Sequence, residues 1–194
     1  FVMEFVAGIP LTAYCERRQL STRKRLELFI SICHAVQHAH QKGVIHRDLK
    51  PSNILVAEEE EGPLPKIIDF GIAKATQADA VARGRQTATG QVVGTPEYMA
   101  PEQWRGEPVP QTDIYALGVV FYELITGRKP YTADTPAALI IMQINDALPL
   151  PTQYIPNLPD QVEKTLLQAL AVNPEDRYED MPAFAAALRQ AAAL

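Results

Sequence analysis

The stretch DIYALGVVFYELIT, residues 113–126, constrains the fold more than any other part of the sequence. Apolar residues occupy nearly every side of the helix that this stretch would form, and Gly127 follows it as a stop signal. A helix that is hydrophobic all round is stable only when other elements surround it. We therefore expect a central buried helix with the rest of the chain packed around it.

The composition agrees with a globular fold. The chain has 194 residues, of which 47% are hydrophobic and 21% charged, and its net charge is -5. This suits one domain, or a large part of one, with a sizeable core. No basic tract stands out, which argues against nucleic acid as a partner, and no apolar run approaches the roughly 20 residues of a membrane span. Cys15 and Cys33 form neither a disulfide framework nor a metal-site spacing, which favours a reducing compartment.

Helical periodicity, capping residues and stop signals predict four further helices. The first is capped by Ser21 or Thr22 and ends before Gly43, and the last is opened by Asp180 and Pro182. The other two are capped by Thr135 and Asp160. We expect the first three of these helices over about residues 21–42, 135–144 and 160–172.

Short apolar runs predict a small amount of strand. Residues 54–56 and the stretch KIIDFG, residues 66–71, are expected to form a hairpin, with residues 58–63 as its solvated turn. Residues 1–6 are expected to form one more apolar strand. Residues 72–110 show no long periodic segment, and a loop of this length in a compact domain is usually functional or disordered.

The stretch VIHRDLKPSNILV, residues 44–56, places unusually many polar groups between two apolar runs. Asp48 can accept a hydrogen bond from a hydroxyl group and orient it, and Lys50 can hold a phosphate oxygen. The carbonyl oxygen of Asn53 and the carboxylate of Asp69 are hard oxygen ligands of the kind that Mg²⁺ favours. Phosphoryl transfer asks little more of a protein, because positioning and charge neutralisation dominate its catalysis.

Several motifs occur in the order that one family requires, and together they are more specific than any single match. The sequence resembles the eukaryotic-type serine/threonine protein kinases, in particular those of bacterial receptor-kinase type. The resemblance rests on HRDLKPSN at 46–53, DFG at 69–71, GTPEYMAPE at 94–102 and TDIYALG at 112–118.

The resemblance covers essentially the whole chain, but only the larger, C-terminal lobe of the family's fold. It implies an α+β, mainly α fold, in which a helical bundle surrounds a buried central helix and carries a small catalytic-loop hairpin. Residues 1–8 would be the end of the small lobe and the hinge, and residues 9–194 the C-lobe. The activation segment would span residues 69–102.

By the same resemblance, the chain would transfer the γ-phosphate of ATP to serine and threonine hydroxyls of protein substrates. Asp48 would be the catalytic base, and Lys50 would contact the γ-phosphate. Thr95 would contact both of them. Asn53 and Asp69 would bind Mg²⁺, with Mn²⁺ as the alternative ion.

The resemblance also implies a nucleotide site at the start of the chain. Met3 would be the gatekeeper behind the adenine, and backbone groups of Glu4 and Val6 would hydrogen-bond its edge. Leu11 and Leu55 would lie near or under the ring.

Two parts of the family's nucleotide site have no counterpart in the sequence. No glycine-rich phosphate loop is present, and no lysine precedes the hinge. We therefore expect the natural chain to continue upstream of Phe1 into an N-lobe. The 194 residues alone are expected to bind ATP weakly and to transfer phosphate negligibly.

An arginine before the catalytic aspartate is typical of relatives that are switched by phosphorylation of the activation loop. Arg47 would receive that phosphate through its guanidinium group. Thr87 and Thr89 are the candidate acceptors, because their distance from Gly94 resembles the paired threonines of bacterial receptor kinases. A plain solvated loop threonine remains the alternative for each.

Five residues are expected to hold the architecture together. Glu102 would pair with Arg177, far along the sequence, and so tie the activation segment to the later helices. Asp113 would accept hydrogen bonds from backbone N–H groups of the catalytic loop, act as a plain N-cap, or do both. His46 and Phe70 would stack in the hydrophobic spine.

Two other classes of function compete with an active protein kinase. A pseudokinase scaffold is disfavoured because Asp48, Asn53 and Asp69 are all present. A small-molecule phosphotransferase of the antibiotic-kinase type shares the catalytic Asp and Asn but would not need the GTPEYMAPE substrate floor. The expected location is the cytoplasm, or the cytoplasmic domain of a membrane receptor kinase.

Two remaining features are weaker. Glu123 matches a position that attracts arginine in some relatives, but Ser52 replaces a glutamate that often accompanies it, so a strict preference for basic sites is not supported. His34 and His38 are four residues apart, next to His40, without an acidic third ligand. They are expected to be core or surface residues rather than a metal site.

Overall fold

A computed structural model describes residues 6–70 and 95–192, so Met3, Glu4, Thr87 and Thr89 lie outside the described residues. Residues 1–5 of the predicted first strand and most of the predicted activation segment lie outside them as well. Within the described ranges the chain forms six α-helices and three strands, besides five short 3₁₀ helices. In chain order these are β1 (Ile9–Pro10), α1 (Leu11–Arg17), α2 (Thr22–Gln41), β2 (Ile54–Glu59), β3 (Gly62–Ile67), α3 (Pro110–Thr126), α4 (Pro136–Asn145), α5 (Asp160–Ala169) and α6 (Met181–Ala192).

Helix α3 is the predicted central helix. Every residue from Thr112 to Tyr122 is buried, which means that all sides of the helix are covered. The helix ends where Gly127 adopts a φ of 75°, a left-handed conformation that favours glycine. A Cβ on Gly118 would lie 3.2 Å from the Cβ of Ala169, so a glycine here lets α3 approach the end of α5 closely.

Helix α2 packs against α3 and α6 through aromatic contacts. The ring of Phe29 lies 4.9 Å from that of Phe121 and 6.2 Å from that of Phe184. Ser21 caps α2, since its side chain accepts a hydrogen bond from the N–H of Lys24. The prediction of this helix and of its cap is confirmed.

The hairpin is longer than predicted, and its second strand lies earlier in the sequence, since β3 ends at Ile67 rather than at residue 71. Strand β2 runs through Glu58 and Glu59, which the sequence assigned to the turn, and β3 begins at Gly62 and contains Pro63 and Pro65. Proline is tolerated there because β3 is the edge strand of a sheet with the order β1-β2-β3. Because proline usually indicates the end of a strand, Pro63 and Pro65 led the sequence analysis to place residues 58–63 in a turn.

The start of the chain is linked to the strand after the catalytic loop. In the antiparallel pair of β1 and β2, Ile9 lies opposite Val56 and Pro10 opposite Leu55. Helix α1 follows directly, and the sequence reading had missed this short helix. Gly8, the last residue of the predicted hinge, lies against β2, since a Cβ on it would be 3.0 Å from the carbonyl oxygen of Val56.

Two of the three remaining helix caps were predicted correctly. Thr135 accepts a hydrogen bond from the N–H of Ala138, and Asp180 accepts one from the N–H of Ala183. The predicted cap at Asp160 is wrong. Pro159 occupies the cap position, no side-chain cap bond forms, and α5 ends at Ala169 rather than near residue 172.

No helix in either described range is long and apolar enough to cross a membrane.

A buried ion pair ties the segment after residue 95 to the region before α6. Arg177 and Glu102 are 4% and 6% exposed, and two N–O contacts of 2.8 Å join them. The other three N–H groups of Arg177 donate to the carbonyl oxygens of Gln111, Ala171 and Val172, so all five of its donors are used.

The same pair controls the ionisation of Glu102. Burial raises the pKa of its carboxyl, but hydrogen bonds and charge from Arg177 and a hydrogen bond from Thr112 outweigh burial, so the pKa lies below its usual value. A carboxyl with a lowered folded pKa stabilises the fold above its unfolded pKa. That contribution is lost as the pH falls through the folded value.

We expect Arg177→Ala to lower the free energy of unfolding by about 3–5 kcal/mol at pH 7, because it leaves the Glu102 carboxylate buried without a partner. Arg23→Ala is the control, since Arg23 pairs with Glu27 on the surface and its side chain is 76% exposed. That loss should stay below about 0.5 kcal/mol. Urea unfolding of both variants measures the difference.

The difference in free energy of unfolding between Arg177→Ala and the unsubstituted chain should become smaller as the pH approaches 4. In the variant, protonation of Glu102 then removes its unpaired buried charge. Equal, small losses in Arg177→Ala and Arg23→Ala would contradict the assignment of the ion pair as a structural tie.

Candidate active site

The carboxylate of Asp113 holds the catalytic loop in place. This side chain is 0% exposed. Its Oδ2 accepts hydrogen bonds from the N–H of His46 at 2.8 Å and from Nε2 of His40 at 2.7 Å. Its Oδ1 accepts one from the N–H of Arg47 at 2.9 Å. Val109 is the N-cap residue of α3, so the carboxylate of Asp113 serves the loop rather than its own helix.

Arg47 has a φ of 64°, a left-handed conformation that costs a non-glycine residue about 1–2 kcal/mol. The bond from its N–H to Asp113 offsets part of that cost. The consequence is a sharp change of chain direction immediately before Asp48. The structure gives no phosphate partner for the guanidinium group of Arg47, since Thr87 and Thr89 lie outside the described residues.

Two predicted catalytic residues, Asp48 and Lys50, lie together with the predicted metal ligand Asn53. Nζ of Lys50 is 3.4 Å from Oδ2 of Asp48. Nδ2 of Asn53 donates to the backbone carbonyl of Asp48 at 2.9 Å and lies 3.3 Å from Oδ2 of the same residue. Because the amide nitrogen of Asn53 serves Asp48, the carbonyl oxygen of that amide is the atom that fits a hard metal ion.

His46 joins this loop to the segment that carries Asp69. Its Nε2 lies 3.0 Å from the carbonyl oxygen of Ile68, and its Nδ1 accepts a hydrogen bond from the N–H of Asp48 at 3.3 Å. A carbonyl oxygen can only accept and a backbone N–H can only donate, so the ring must be neutral with its proton on Nε2. Burial lowers the pKa of His46, which keeps the ring neutral at pH 7.

Asp69 is the second residue after the end of β3 at Ile67, and it is exposed. The residues on both sides of it contact the catalytic loop: the N–H of Ile68 donates to the carbonyl oxygen of Asn53 at 3.0 Å, and the ring of Phe70 lies 4.7 Å from that of His46. Asp69 has a φ of 56°, so the chain turns sharply at this residue. Asp69 and Asn53 thus belong to neighbouring, hydrogen-bonded segments, and both offer hard oxygens.

Thr95 borders a cavity of about 270 Å³ beside the catalytic loop. Tyr98 and Glu123, which also line it, are joined by a hydrogen bond of 2.5 Å from the Tyr98 hydroxyl to Oε2 of Glu123. Glu123, whose position attracts arginine in some relatives, therefore already has Tyr98 as a hydrogen-bond partner. The full lining is Pro10, Thr12, Lys50, Pro51, Ser52, Thr95, Tyr98 and Glu123.

The structure describes three of the predicted nucleotide contacts. Val6 and Leu55 are half-buried, and Leu55 lies on β2 opposite Pro10. Leu11 is 1% exposed and is part of the main hydrophobic core. Contact of these residues with an adenine ring stays a prediction.

Two glutamines near the site were missed by the sequence reading. Gln103 bonds to Ala100 and Arg47, and Gln143, which is 2% exposed, donates to the carbonyl oxygen of Met99 at 3.0 Å. A glutamine three residues after a helix start is a capping signal that could have pointed to Gln103. No local signal points to Gln143, because its partners are distant in sequence.

Two of the three neighbouring histidines, His34 and His40, have other partners. His40 donates to Asp113, and Nε2 of His34 lies 2.7 Å from Nη2 of Arg189. Residues 6–70 and 95–192 contain no group of three or more histidine, cysteine, aspartate or glutamate side chains that could hold a metal ion.

Comparison with known families agrees with this geometry. A sequence profile described as the protein kinase domain matches residues 1–189. The chain belongs to the protein kinase family. This kinase-family chain is 42% identical over 194 residues to the serine/threonine-protein kinase Pkn1 of Myxococcus xanthus, covering 99% of the chain and 27% of that protein. It is 37% identical over 180 residues to PknB of Mycolicibacterium smegmatis, covering 92% of the chain and 28% of PknB.

A solved structure shows the same fold. The kinase domain of PknI from Mycobacterium tuberculosis matches the kinase-family chain with a TM-score of 0.70 at 26% sequence identity. The match covers 98% of this chain and 64% of that one. The chain thus spans about a quarter of the length of the curated relatives and about two thirds of the solved domain.

We expect Asp113→Asn to loosen the catalytic loop. An amide has only one acceptor oxygen, so its NH₂ group would face a backbone N–H, at a cost of about 1–3 kcal/mol. The amides of His46 and Arg47 should exchange faster with solvent, and urea unfolding should show the loss of stability.

Asp160→Asn, an exposed change in the first turn of α5, is the control: it should leave amide exchange at His46 and Arg47 unchanged and lower the free energy of unfolding by less than about 1 kcal/mol. Unchanged amide exchange in Asp113→Asn would rule out this role for the carboxylate.

Proposed function

We propose that the chain is the catalytic lobe of a serine/threonine protein kinase that transfers the γ-phosphate of ATP to hydroxyl groups of protein substrates. One observation carries the proposal. The side chains of Asp48, Lys50 and Asn53 lie together on one hydrogen-bonded loop, and His46 attaches that loop to the segment of Asp69. These are the groups that phosphoryl transfer needs for positioning and for charge neutralisation.

Each residue has a separate task in this proposal. Asp48 accepts a hydrogen bond from the substrate hydroxyl and orients it towards the phosphate. Lys50, beside Asp48, reduces the negative charge around the transferred group and contacts its oxygens. The oxygens of Asn53 and Asp69 would hold Mg²⁺, which neutralises charge on the phosphates when it is bound.

Protein substrates are favoured over small molecules by the segment after Thr95. Gln143 holds the carbonyl of Met99, and Glu102, which follows in the same segment, is anchored to Arg177. A firmly fixed segment beside the cavity suits an extended peptide better than a small molecule. The serine/threonine kinases Pkn1 and PknB among the relatives support the same substrate class.

The domain assignment is part of the proposal. Residues 1–8 would be the hinge and the end of the small lobe, 9–194 the C-lobe and 69–102 the activation segment. The pairing of β1 with β2 supports a hinge at this position. An upstream N-lobe would supply the phosphate loop and the strand lysine, and the kinase would act in the cytoplasm or as the cytoplasmic domain of a receptor. Met3, Glu4, Val6, Leu11 and Leu55 would then bind the adenine.

Regulation by phosphorylation is proposed on the same basis. Thr87 and Thr89 would be the acceptors, and Arg47 would bind the phosphate. The backbone of Arg47 is already fixed by Asp113, so a phosphate on its guanidinium would act directly on the loop that carries Asp48.

The test compares the 194-residue chain with a chain extended upstream through the proposed N-lobe. We expect the extended chain to phosphorylate serine and threonine peptides with ATP and Mg²⁺, and the short chain to show negligible transfer. Asp48→Asn in the extended chain should lower kcat by about 10²–10⁴-fold, because the acceptor hydroxyl loses its base. Its affinity for ATP should stay within about threefold, since Asp48 does not hold the nucleotide.

Asp134→Asn, an exposed change just before α4, is the matched control and should leave kcat unchanged. Transfer to small hydroxyl compounds but not to peptides would favour the antibiotic-kinase alternative. ATP binding without transfer to either class would favour the pseudokinase. Equal turnover by the short and the extended chain would refute the need for an N-lobe.

A further inference from the structure

Gln103 makes two hydrogen bonds that join the substrate side of the site to the backbone next to Asp48. Its Oε1 accepts from the N–H of Ala100 at 3.0 Å, and its Nε2 donates to the carbonyl oxygen of Arg47 at 2.9 Å. Its two partners lie on segments that are distant in sequence. The bond to Arg47 spans 56 residues.

The orientation of this amide is fixed by its partners. A backbone N–H can only donate, so it must face Oε1 of Gln103, and a carbonyl oxygen can only accept, so it must face Nε2. A carboxylate of the same shape could serve Ala100 but would repel the carbonyl of Arg47. Glutamine is therefore the side chain that satisfies both ends.

The bond to Arg47 completes the support of the peptide group that precedes Asp48. Asp113 binds the N–H of Arg47, and Gln103 binds its carbonyl oxygen. Arg47 is held from both sides in its left-handed conformation. The direction in which the chain enters Asp48 thus depends on Gln103 as well as on α3.

We propose that Gln103 is a positioning residue that sets the catalytic base relative to the substrate segment, by tying the carbonyl of Arg47 to the N–H of Ala100. This inference rests on the proposed kinase activity. Gln103 touches no reacting atom; it acts through the backbone of residues 47 and 48.

A simpler reading is that Gln103 only caps the short helical turn Pro101–Arg105. The bond to Ala100 fits that reading, because a glutamine at the third position often reaches back to the N-cap N–H. The bond to Arg47 does not serve the turn at all. An experiment that removes the second bond and keeps the first separates the two readings.

Gln103→Glu makes this separation, in the upstream-extended chain. The carboxylate still accepts from Ala100 but faces the carbonyl of Arg47 with a second oxygen. We expect kcat at pH 8 to fall about tenfold, with KM for the peptide within about twofold. Gln103→Ala removes both bonds and should lower kcat and raise the peptide KM.

The pH profile supplies the decisive readout. A half-buried carboxyl beside a carbonyl oxygen has a raised pKa, and its protonated form can donate to Arg47 as the glutamine does. The ratio of kcat for Gln103→Glu to kcat for the unsubstituted kinase should therefore rise as the pH falls from 8 towards about 5.5.

Gln111→Glu is the matched control. The side chain of Gln111 also donates to a carbonyl oxygen, that of Glu179, but this bond is exposed and involves no residue of the catalytic loop. Its kcat and pH profile should match those of the unsubstituted kinase. Thermal unfolding of all variants records any general loss of stability.

Amide hydrogen exchange of the peptide that covers residues 44–50 gives a readout independent of turnover. At each pH, exchange in Gln103→Glu is compared with exchange in the unsubstituted chain, and we expect faster exchange that returns towards normal at low pH. A ratio of kcat that stays flat with pH, together with unchanged exchange, would overturn the proposal and leave only a cap.

If the unsubstituted extended chain transfers no phosphate, the proposed function fails. Hydrogen exchange then still decides whether Gln103 holds the loop. Normal exchange in both Gln103→Glu and Gln103→Ala would refute the positioning role as well.

Discussion

The site depends on one fully buried carboxylate. Asp113 lies in the first turn of α3, and that helix is surrounded on all sides, so the carboxylate is held by the most completely packed element of the described chain. Burying such a charge is costly unless donors satisfy it, and three donors do so here: two backbone N–H groups of the catalytic loop and the ring of His40. The loop therefore takes its position from the core rather than from solvent-exposed contacts.

The catalytic loop held by Asp113 is in turn hydrogen-bonded, through backbone groups, to two segments that are distant in sequence. His46 extends it to the segment of Asp69 through the carbonyl of Ile68, and Gln103 extends it to the segment after Thr95 through the carbonyl of Arg47. Exposed ion pairs, such as that of Arg18 with Glu58, cannot fix these segments in place, because ion pairs in water add little to stability. The neutral side chains of His46 and Gln103 thus extend the support that begins at the buried charge of Asp113.

The sequence predicted well what local patterns encode. The buried helix, the long helix after Ser21 and the caps at Thr135 and Asp180 all follow from periodicity and from hydrogen-bonding side chains. The order of the sequence motifs predicted that Asp48, Lys50 and Asn53 belong to one catalytic loop. Errors arose where tertiary contacts decide: the edge strand tolerates the prolines of β3, Pro159 replaces Asp160 as the cap, and the partners of Gln143 are dispersed along the chain.

The frequent use of backbone atoms as hydrogen-bond partners has a consequence for how far such a sequence can diverge. The groups that are held at Arg47, Ile68, Met99 and Ala100 are N–H and C=O groups, which every residue type other than proline provides. The side chains at these four positions can therefore change without loss of the hydrogen bonds. The sequence is constrained mainly at the few residues whose side chains bind these backbone groups. A domain can then share only 26% of its residues with PknI and still superpose at a TM-score of 0.70.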